Sequence, residues 1–250
     1  MRRPKWDRTK GRPEPIAALN RIPETENHDP LVDLREACPS VIIYRPSVIP
    51  YLRKRVAEML EAAAQTMPDE FKIGVIDAWR PFHRQQNIYN WMWQNSIEAF
   101  PDISHAQRRR TVCRWVAPTD QKAPPGHCTG AAVDIFLLTP SGEEVDVCAP
   151  FSRFLAAPTH TMGLSPESHH ARMTMYEAMM AQGFSNCRDE YWHYSYGDAG
   201  WAVRMDEPEC FYGKVELDPS LYEENERDWW ARLKTRTNPF LEADSTSVRG

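Results

Sequence analysis

One stretch constrains the fold of this chain more than any other, because it places a charged side chain inside a segment that is otherwise typical of a buried strand. The stretch reads Pro125-Gly126-His127-Cys128-Thr129-Gly130-Ala131-Ala132-Val133-Asp134-Ile135-Phe136-Leu137-Leu138. The β-branched and aromatic residues that follow Gly130 predict a strand over 131–138. Asp134 is then a carboxylate among apolar side chains, where an unpaired charge is costly. Either a metal ion shared with His127 or an arginine partner would compensate it.

The composition narrows the class of protein. Among 250 residues, 42% are hydrophobic and 26% are charged, which is ordinary globular usage. The formal net charge is −5 and the only basic block is Arg108-Arg109-Arg110. Nucleic acid is therefore not an expected partner, because phosphate binding requires a clustered positive surface.

The chain also lacks the sequence signals of export or membrane insertion. No apolar stretch follows the N-terminal charges, and no run approaches the ~18 apolar residues of a membrane helix. The six cysteines are scattered without a CxxC pair. We interpret them as free thiols of a cytoplasmic protein, and no membrane partner is expected.

The pattern of apolar residues predicts a single domain with two polar ends. Residues 1–30 are rich in Pro, Arg and Glu and are expected to form an extended arm, while 205–250 form a C-terminal extension whose tail, from 242, is expected to be disordered. Helical periodicity predicts helices over 48–65, 82–99, 105–115, 171–182 and 223–234. Strands are predicted over 71–79, 131–138 and 186–196, a short hairpin strand over 144–147, and a loop over 158–170.

Four groups can carry chemistry: His127, Asp134, Arg80 and the segment Glu190-Tyr191-Trp192-His193. Each has an ordinary explanation alone, such as a hydrogen-bonded turn histidine or an aspartate paired with an arginine. Together they contain what a mononuclear catalytic zinc requires. Two imidazoles and one carboxylate leave a fourth position for water. A second carboxylate can take a proton from that water, and a cation can stabilise an oxyanion. Spacing alone favours the metal interpretation only slightly over coincidence.

Several motifs in order give the chain a recognisable family resemblance. His127, Gly130, Ala132 and Asp134 resemble the HxxGxAxD motif of the zinc-dependent D-alanyl-D-alanine dipeptidases, a group that includes the vancomycin-resistance dipeptidases. Further similar segments are Asp77-Ala78-Trp79-Arg80-Pro81 (D-A-Y-R-P in the family), Glu190-Tyr191-Trp192-His193-Tyr194-Ser195-Tyr196 (E-W-W-H-Y-S-Y), Asp33-Leu34-Arg35 (D-L-R) and Gly183-Phe184 (G-F). They span residues 31–204 in the family's order, and ordered motifs are more specific than any one of them.

The resemblance implies an α+β fold of the hedgehog/D,D-peptidase type, with a central antiparallel sheet and helices packed around it. It implies that His127, Asp134 and His193 bind one zinc ion per chain. Glu190 would be the general base and then the acid, and Arg80 would stabilise the developing negative charge. Glu190 and His193 are three residues apart and would face opposite sides of a flat strand, so we expect Glu190 on the turn before the strand.

Two positions depart from the family pattern. Pro125 stands where a serine usually precedes the first zinc histidine. Ser152 stands where the family's M-G-T-x-F-D segment has an aspartate that holds the substrate's free amino group. Without that carboxylate a charge-assisted hydrogen bond, about 1.5–3 kcal/mol, would be lost. Asp146 or Glu144 could substitute for it.

These features predict a zinc metallopeptidase that hydrolyses D-alanyl-D-alanine or a related cell-wall-derived dipeptide in the cytoplasm. One alternative is a D,D-carboxypeptidase or L,D-peptidase acting on longer peptidoglycan peptides, which the loss of the aspartate at Ser152 favours somewhat. Another is a zinc-bearing binding protein without turnover, which the presence of Glu190 and Arg80 argues against. Cys128 is expected to be a buried, inert thiol. The loop histidines are expected to be solvated rather than to form a second metal site: His160, His169 and His170.

Overall fold

The computed structural model describes residues 4–241, and its centre is a five-stranded sheet of order β2-β4-β5-β7-β6. Its strands are β2 (Ile42–Ile43), β4 (Lys72–Asp77), β5 (Ala132–Leu138), β6 (Ser185–Asn186) and β7 (His193–Ser195). A separate antiparallel pair joins β1 (Leu31–Asp33) to β3 (Tyr51–Arg53). The α+β fold with helices around a central sheet is as predicted. The sheet is antiparallel except at one edge, where the short β2 runs parallel to β4.

The helices agree with the apolar periodicity in most places. They are α1 (Ile16–Leu19), α2 (Leu34–Ala37), α3 (Lys54–Gln65), α4 (Phe82–Ala99), α5 (His105–Val112), α6 (Pro166–Ala181), α7 (Ala199–Met205) and α8 (Glu223–Thr235). Within the described residues, none of them is both long and apolar enough to cross a membrane.

Some predicted boundaries were wrong for identifiable reasons. The helix predicted over 48–65 begins only at Lys54, because Pro50 disfavours helical backbone before it and 51–53 pair with β1 instead. The loop predicted over 158–170 ends at Ser165, whose side chain caps α6 ahead of Pro166, so His169 and His170 lie on a helix.

Two strand predictions also need correction. The strand predicted over 186–196 is interrupted by turns between β6 and β7. The hairpin strand predicted over 144–147 is reduced to a single bridge between Leu138 and Glu144. Helices α1, α2 and α7 were not predicted, and α1 lies in the N-terminal arm that was expected to be extended. The tail from 242 lies outside the described residues.

Alternation along β5 separates the core from the functional face. Val133, Ile135 and Leu137 pack into the main apolar core together with side chains of α3 and α6. Because successive side chains of a strand point to opposite faces, Asp134 and Phe136 face the other side of the sheet. Both line a cavity on that side.

The N-terminal arm is fastened to the sheet by a buried arginine. Arg53 is 3% exposed, and its guanidinium donates to both carboxylate oxygens of Glu26 and to the carbonyl oxygens of Asp29, Thr129 and Gly213, at 2.7–3.1 Å. The arm is therefore joined to β3, to the turn before β5 and to the chain after α7 by one side chain.

Replacing this arginine is expected to destabilise the protein. Arg53→Met should lower the free energy of unfolding by about 3–5 kcal/mol, because it leaves a partly buried carboxylate and three carbonyl groups without their donor. Urea unfolding at neutral pH measures the change. Arg55→Met, at an exposed position that pairs with Glu58, is the matched control and should change stability by less than ~1 kcal/mol.

The stabilisation by the ion pair between Arg53 and Glu26 also has a defined pH dependence. Burial alone would raise the pKa of Glu26, but the amide N–H groups of Gly213 and His28, together with Arg53, hold it below its ordinary value of 4.5. A carboxylate whose pKa is lower in the folded protein than in the unfolded chain stabilises the fold at pH values above its unfolded pKa. This stabilisation is lost as the pH falls through its folded pKa. The destabilisation caused by Arg53→Met should therefore shrink below pH 4.5. An undiminished difference at acid pH would exclude the ion pair as its cause.

Candidate metal centre

Strand register brings three charged or ionisable side chains into one row across the sheet. Asp134 on β5 lies directly opposite His193 on β7 and opposite Asp77 on β4. Directly paired residues share a face, with Cβ atoms about 4.5–5.5 Å apart. An irregularity in β4 between Val75 and Asp77 shifts the register there and sets which residue meets Asp134.

His127 reaches the same place from the 3₁₀ turn Gly126–Thr129 that leads into β5. Its Nδ1 donates to the carbonyl oxygen of Ala78 at 2.8 Å, and the amide of Arg80 donates back to the carbonyl oxygen of His127 at 3.1 Å. Because Nδ1 donates to a carbonyl, Nε2 of the neutral ring carries the lone pair. This nitrogen lies 3.3 Å from Oδ1 of Asp134.

His193 completes the cluster. Its Nδ1 lies 2.9 Å from the same Oδ1 of Asp134, and one donor atom from each of the three residues lies within 4.8 Å of the others. The partners of the buried aspartate are thus two imidazoles and not an arginine. A nitrogen, nitrogen and oxygen donor set of this kind suits zinc with an open fourth position.

The electrostatics of the cluster favour a positive charge beside Asp134. Burial alone would raise the pKa of Asp134, but His127 and His193 hold it far below its ordinary value. Burial alone would lower the pKa of His127, and the charge of Asp134 raises it instead. The opposite directions of the two shifts mean that the site holds an ionised carboxylate which attracts a cation.

Glu190 lies on the turn before β7, as the three-residue spacing requires. Its amide donates to the carbonyl oxygen of Cys187, and its own carbonyl oxygen accepts from the amide of His193, both at 3.1 Å. Its side chain lines the same cavity as the cluster. Burial raises the pKa of Glu190 well above its ordinary value, and the negative charges of Asp134 and Glu14 raise it further.

Arg80 is held between two side chains at the end of β4. Its Nε and Nη2 donate to Oδ2 of Asp77 at 3.2 and 2.5 Å, and its Nη1 donates to Oε1 of Gln85. Gln85 in turn donates to the carbonyl oxygen of Ala117 at 2.7 Å. Sequence reasoning missed Gln85, because a glutamine on a helix carries no signal of what its side chain orients.

The cavity has a volume of about 640 Å³, and both ends of the chain contribute to its walls. Glu14 of the N-terminal arm lines it and pairs with Arg204 of α7 at 2.5 Å. Trp229 and Arg232 of α8 line it from the C-terminal side. These residues were also missed, because isolated charged residues in polar segments give no periodic pattern that predicts a role.

The two departures from the family pattern occupy different surroundings. Pro125 lines the cavity, whereas Ser152 does not, and the buried Ser152 hydroxyl has no hydrogen-bond partner among residues 4–241. The suggested substitutes do not line the cavity either: Asp146 accepts hydrogen bonds from the amides of Cys148 and Ala149, and Glu144 pairs with Arg153.

The other candidates are not part of the centre. Burial raises the pKa of the Cys128 thiol to about 12, so it is protonated at neutral pH and a poor nucleophile. His169 and His170 are exposed on α6, and His170 lies 3.8 Å from a carboxylate oxygen of Glu70. His160 packs on the ring of Tyr176.

Comparisons with known proteins agree with the motif order. A family model described as Peptidase_M15, D-ala-D-ala dipeptidase, matches residues 43–211. A D-alanyl-D-alanine dipeptidase of Synechocystis sp. is 28% identical over 198 residues, which cover 67% of this chain and 80% of that protein.

Two solved structures show weaker similarity. VanYB in complex with D-alanine-D-alanine is 18% identical with a TM-score of 0.39, over 64% of this chain and 80% of that one. A mutant of the vancomycin-resistance D,D-pentapeptidase VanY from a VanB-type cassette, in complex with Zn(II), is 16% identical with a TM-score of 0.41. That match covers 83% of this chain and 98% of the other.

Proposed function

The chain belongs to the D-ala-D-ala dipeptidase family and is a peptidase, and from this premise we propose that His127, Asp134 and His193 bind one zinc ion that serves hydrolysis. The observation that carries the proposal is the convergence of three donor atoms within 4.8 Å on a face where Glu190 and Arg80 line the same cavity. Zinc, when bound there, polarises the scissile carbonyl and lowers the pKa of a water molecule to about 7.

The backbone around the proposed ligands supports this role. The hydrogen bond from Nδ1 of His127 to Ala78 fixes the ring and leaves Nε2 as the donor atom, an outer contact of the kind that orients metal-binding imidazoles. Asp134 and His193 are held by paired strands, so their separation is set by the sheet and not by a loop. Such positions hold a metal with little rearrangement.

Glu190 is the general base in this proposal. Its carboxylate accepts a proton from the attacking water and then donates it to the nitrogen of the leaving amine. A carboxyl group whose pKa is raised by burial is suited to both steps, since it must hold the proton between them.

Arg80 stabilises the negative charge that develops on the carbonyl oxygen. Asp77 and Gln85 fix its guanidinium before substrate arrives, and a cation oriented in advance stabilises a transition state more than a mobile one. Its burial also strengthens its interaction with an oxyanion.

The reaction is proposed to take place in the cytoplasm, on D-alanyl-D-alanine or a related cell-wall-derived dipeptide. All six cysteines are free, which suits a reducing compartment. The wider alternative, a D,D-carboxypeptidase or L,D-peptidase, is favoured by one observation: the cavity of about 640 Å³ is larger than two alanines require.

A release assay with three substrates separates these functions. Free D-alanyl-D-alanine is expected to be cleaved faster than its N-acetylated form and faster than peptidoglycan stem peptides. Cleavage of only the blocked or longer substrates would replace the dipeptidase with the wider activity. Cleavage of none of them by zinc-loaded protein would favour a binding protein without turnover.

A further inference from the structure

Four arginines form one wall of the cavity, which we call the arginine wall: Arg45, Arg84, Arg153 and Arg232. They come from four separate parts of the chain, namely the loop after β2, helix α4, the loop after β5 and helix α8. None of them belongs to the proposed metal centre or to the motifs that identify the family. Their common location therefore needs its own explanation.

Two residues hold the wall together. Ser47 accepts a hydrogen bond from Nη1 of Arg84 on its carbonyl oxygen at 2.8 Å and one from Nη1 of Arg232 on its hydroxyl at 2.9 Å. The ring of Phe136 lies under the other two guanidinium groups, with its centroid 4.0 Å from Cζ of Arg153 and 5.8 Å from Cζ of Arg45. The two pairs lie close together, because the charges of Arg232 and Arg153 both act on Arg45.

The wall carries more positive than negative charge. Arg84 pairs with Glu226 and Arg153 pairs with Glu144. Within residues 4–241, Arg45 and Arg232 have no carboxylate within ion-pair distance, so four guanidinium groups and two carboxylates leave a net charge of +2. Burial lowers the pKa of Arg45, and Arg232 and Arg153 lower it further. Crowding like charges is unfavourable unless an anion joins them.

A second observation concerns the one fully buried arginine of the wall, whose guanidinium has a donor that is not used by the described part of the chain. Arg84 is only 1% exposed, and its Nη2 has no hydrogen-bond partner among the described residues. Buried donors in native proteins are nearly always paired, and Oε2 of Glu226, the ion-pair partner of Arg84, is likewise buried without a hydrogen-bond partner among residues 4–241. Because Nη2 is itself closed to solvent, an acceptor of a bound molecule reaches it only after a local shift of the wall.

Phe136, the ring that lies under two arginines of the wall, is close to the proposed metal centre. Phe136 follows Asp134 by two residues on β5 and faces the same side of the sheet, which places it about 7 Å further along the strand. A group bound against Phe136 is therefore at the distance of a side chain on a residue that flanks the scissile bond.

We propose that the arginine wall is a subsite for a carboxylate carried on a side chain of the substrate, so that the preferred dipeptide contains an acidic residue. This proposal rests on the proposed peptidase function and names its substrate class. The guanidinium group matches a carboxylate with two parallel hydrogen bonds, which makes arginine a specific as well as a strong partner.

The test compares peptides that differ only in one charge. The pairs are D-Ala-D-Glu with D-Ala-D-Gln, and D-Glu-D-Ala with D-Gln-D-Ala. In at least one pair, kcat/KM for the acidic peptide should exceed that for the neutral one by about tenfold or more. Arg45→Gln and Arg232→Gln should each reduce that ratio towards one. Arg227→Gln, which removes the same charge from an exposed position on the same α8, should keep it.

Ratios near one for both pairs in the unaltered protein, or ratios that neither wall substitution reduces, would overturn the proposal. Thermal melting of each variant checks that it folds.

A binding measurement separates failure of the subsite from failure of the proposed function. Arg84 lies over the ring of Trp229 at 5.3 Å, so tryptophan fluorescence reports on the wall. Glutarate should bind saturably, and Arg232→Gln should weaken its affinity about tenfold or more while Arg227→Gln does not. This result would support the subsite even if no peptide were cleaved. Absence of glutarate binding, or binding of inorganic phosphate alone, would overturn the carboxylate assignment.

Discussion

Glu190→Gln is expected to abolish peptide hydrolysis while zinc content and folding stay unchanged. Glutamine has nearly the shape of glutamate but cannot take a proton from water or deliver one to the leaving amine. Positioned proton transfer contributes about 10²–10⁴-fold to a reaction rate, so kcat for D-alanyl-D-alanine should fall by that factor. The change is measured by steady-state kinetics on protein whose zinc content is determined in the same preparation.

The neighbouring acid provides the control for this substitution. Asp189→Asn makes the same chemical change one residue earlier, at a side chain that pairs with Arg188. The charge of Asp189 contributes less to the raised pKa of Glu190 than burial, Asp134 or Glu14 does, so kcat should fall far less than in Glu190→Gln. If the Glu190→Gln protein retained most of its activity, Glu190 would not be the base. If it lost zinc as well, the loss of activity would have a different cause.

Asp134→Asn is expected to remove the metal. The substitution keeps the size of the side chain but replaces the ionised ligand between two imidazoles with a neutral amide. Changes to groups that only support a ligand cost about 10–100-fold in metal affinity, so loss of the ligand itself should cost at least about 100-fold. Zinc should fall from about one per chain to a small fraction of that after dialysis, and hydrolysis should be lost with it.

A carboxylate outside the centre tests whether the effect is specific. Asp120→Asn removes an acid that pairs with Arg109 at the surface and should leave zinc at its original content. Circular dichroism must show that Asp134→Asn remains folded. A folded Asp134→Asn protein that still binds zinc stoichiometrically after dialysis would remove Asp134 from the ligand set.

The spacing of apolar residues along the chain predicted much of the fold, because the residues that a helix or a strand buries recur at the period of that element. Helix α4 has the predicted bounds, and β5 has the predicted strand to within one residue, since one face of each element is repeatedly apolar. The first part of the helix predicted over 48–65 failed because Pro50 and pairing with β1 outweigh periodicity. The family was recognisable because its motifs are short, ordered and rich in rare residues.

The candidate site was predictable as a list of residues but not as an arrangement. The pairing of Asp134 with His193 and Asp77 depends on strand register, which long-range contacts decide. Glu14 and Arg204 are 190 positions apart in the sequence, and no local sequence pattern predicts that their side chains form an ion pair. The roles given to His127, Asp134, His193, Glu190 and Arg80 stay predictions until the substitutions are made.

The cavity is lined both by the segment that matches the family model and by residues that flank it on either side. The matched segment, 43–211, contains all three proposed zinc ligands, the proposed base and Arg80. Glu14 precedes it, and Trp229 and Arg232 follow it. A relative with the same central segment but different flanks would keep the hydrolytic chemistry and accept different peptides. In this chain, substitutions at Glu14, Trp229 or Arg232 are therefore expected to change which peptides are accepted more than they change the hydrolytic chemistry.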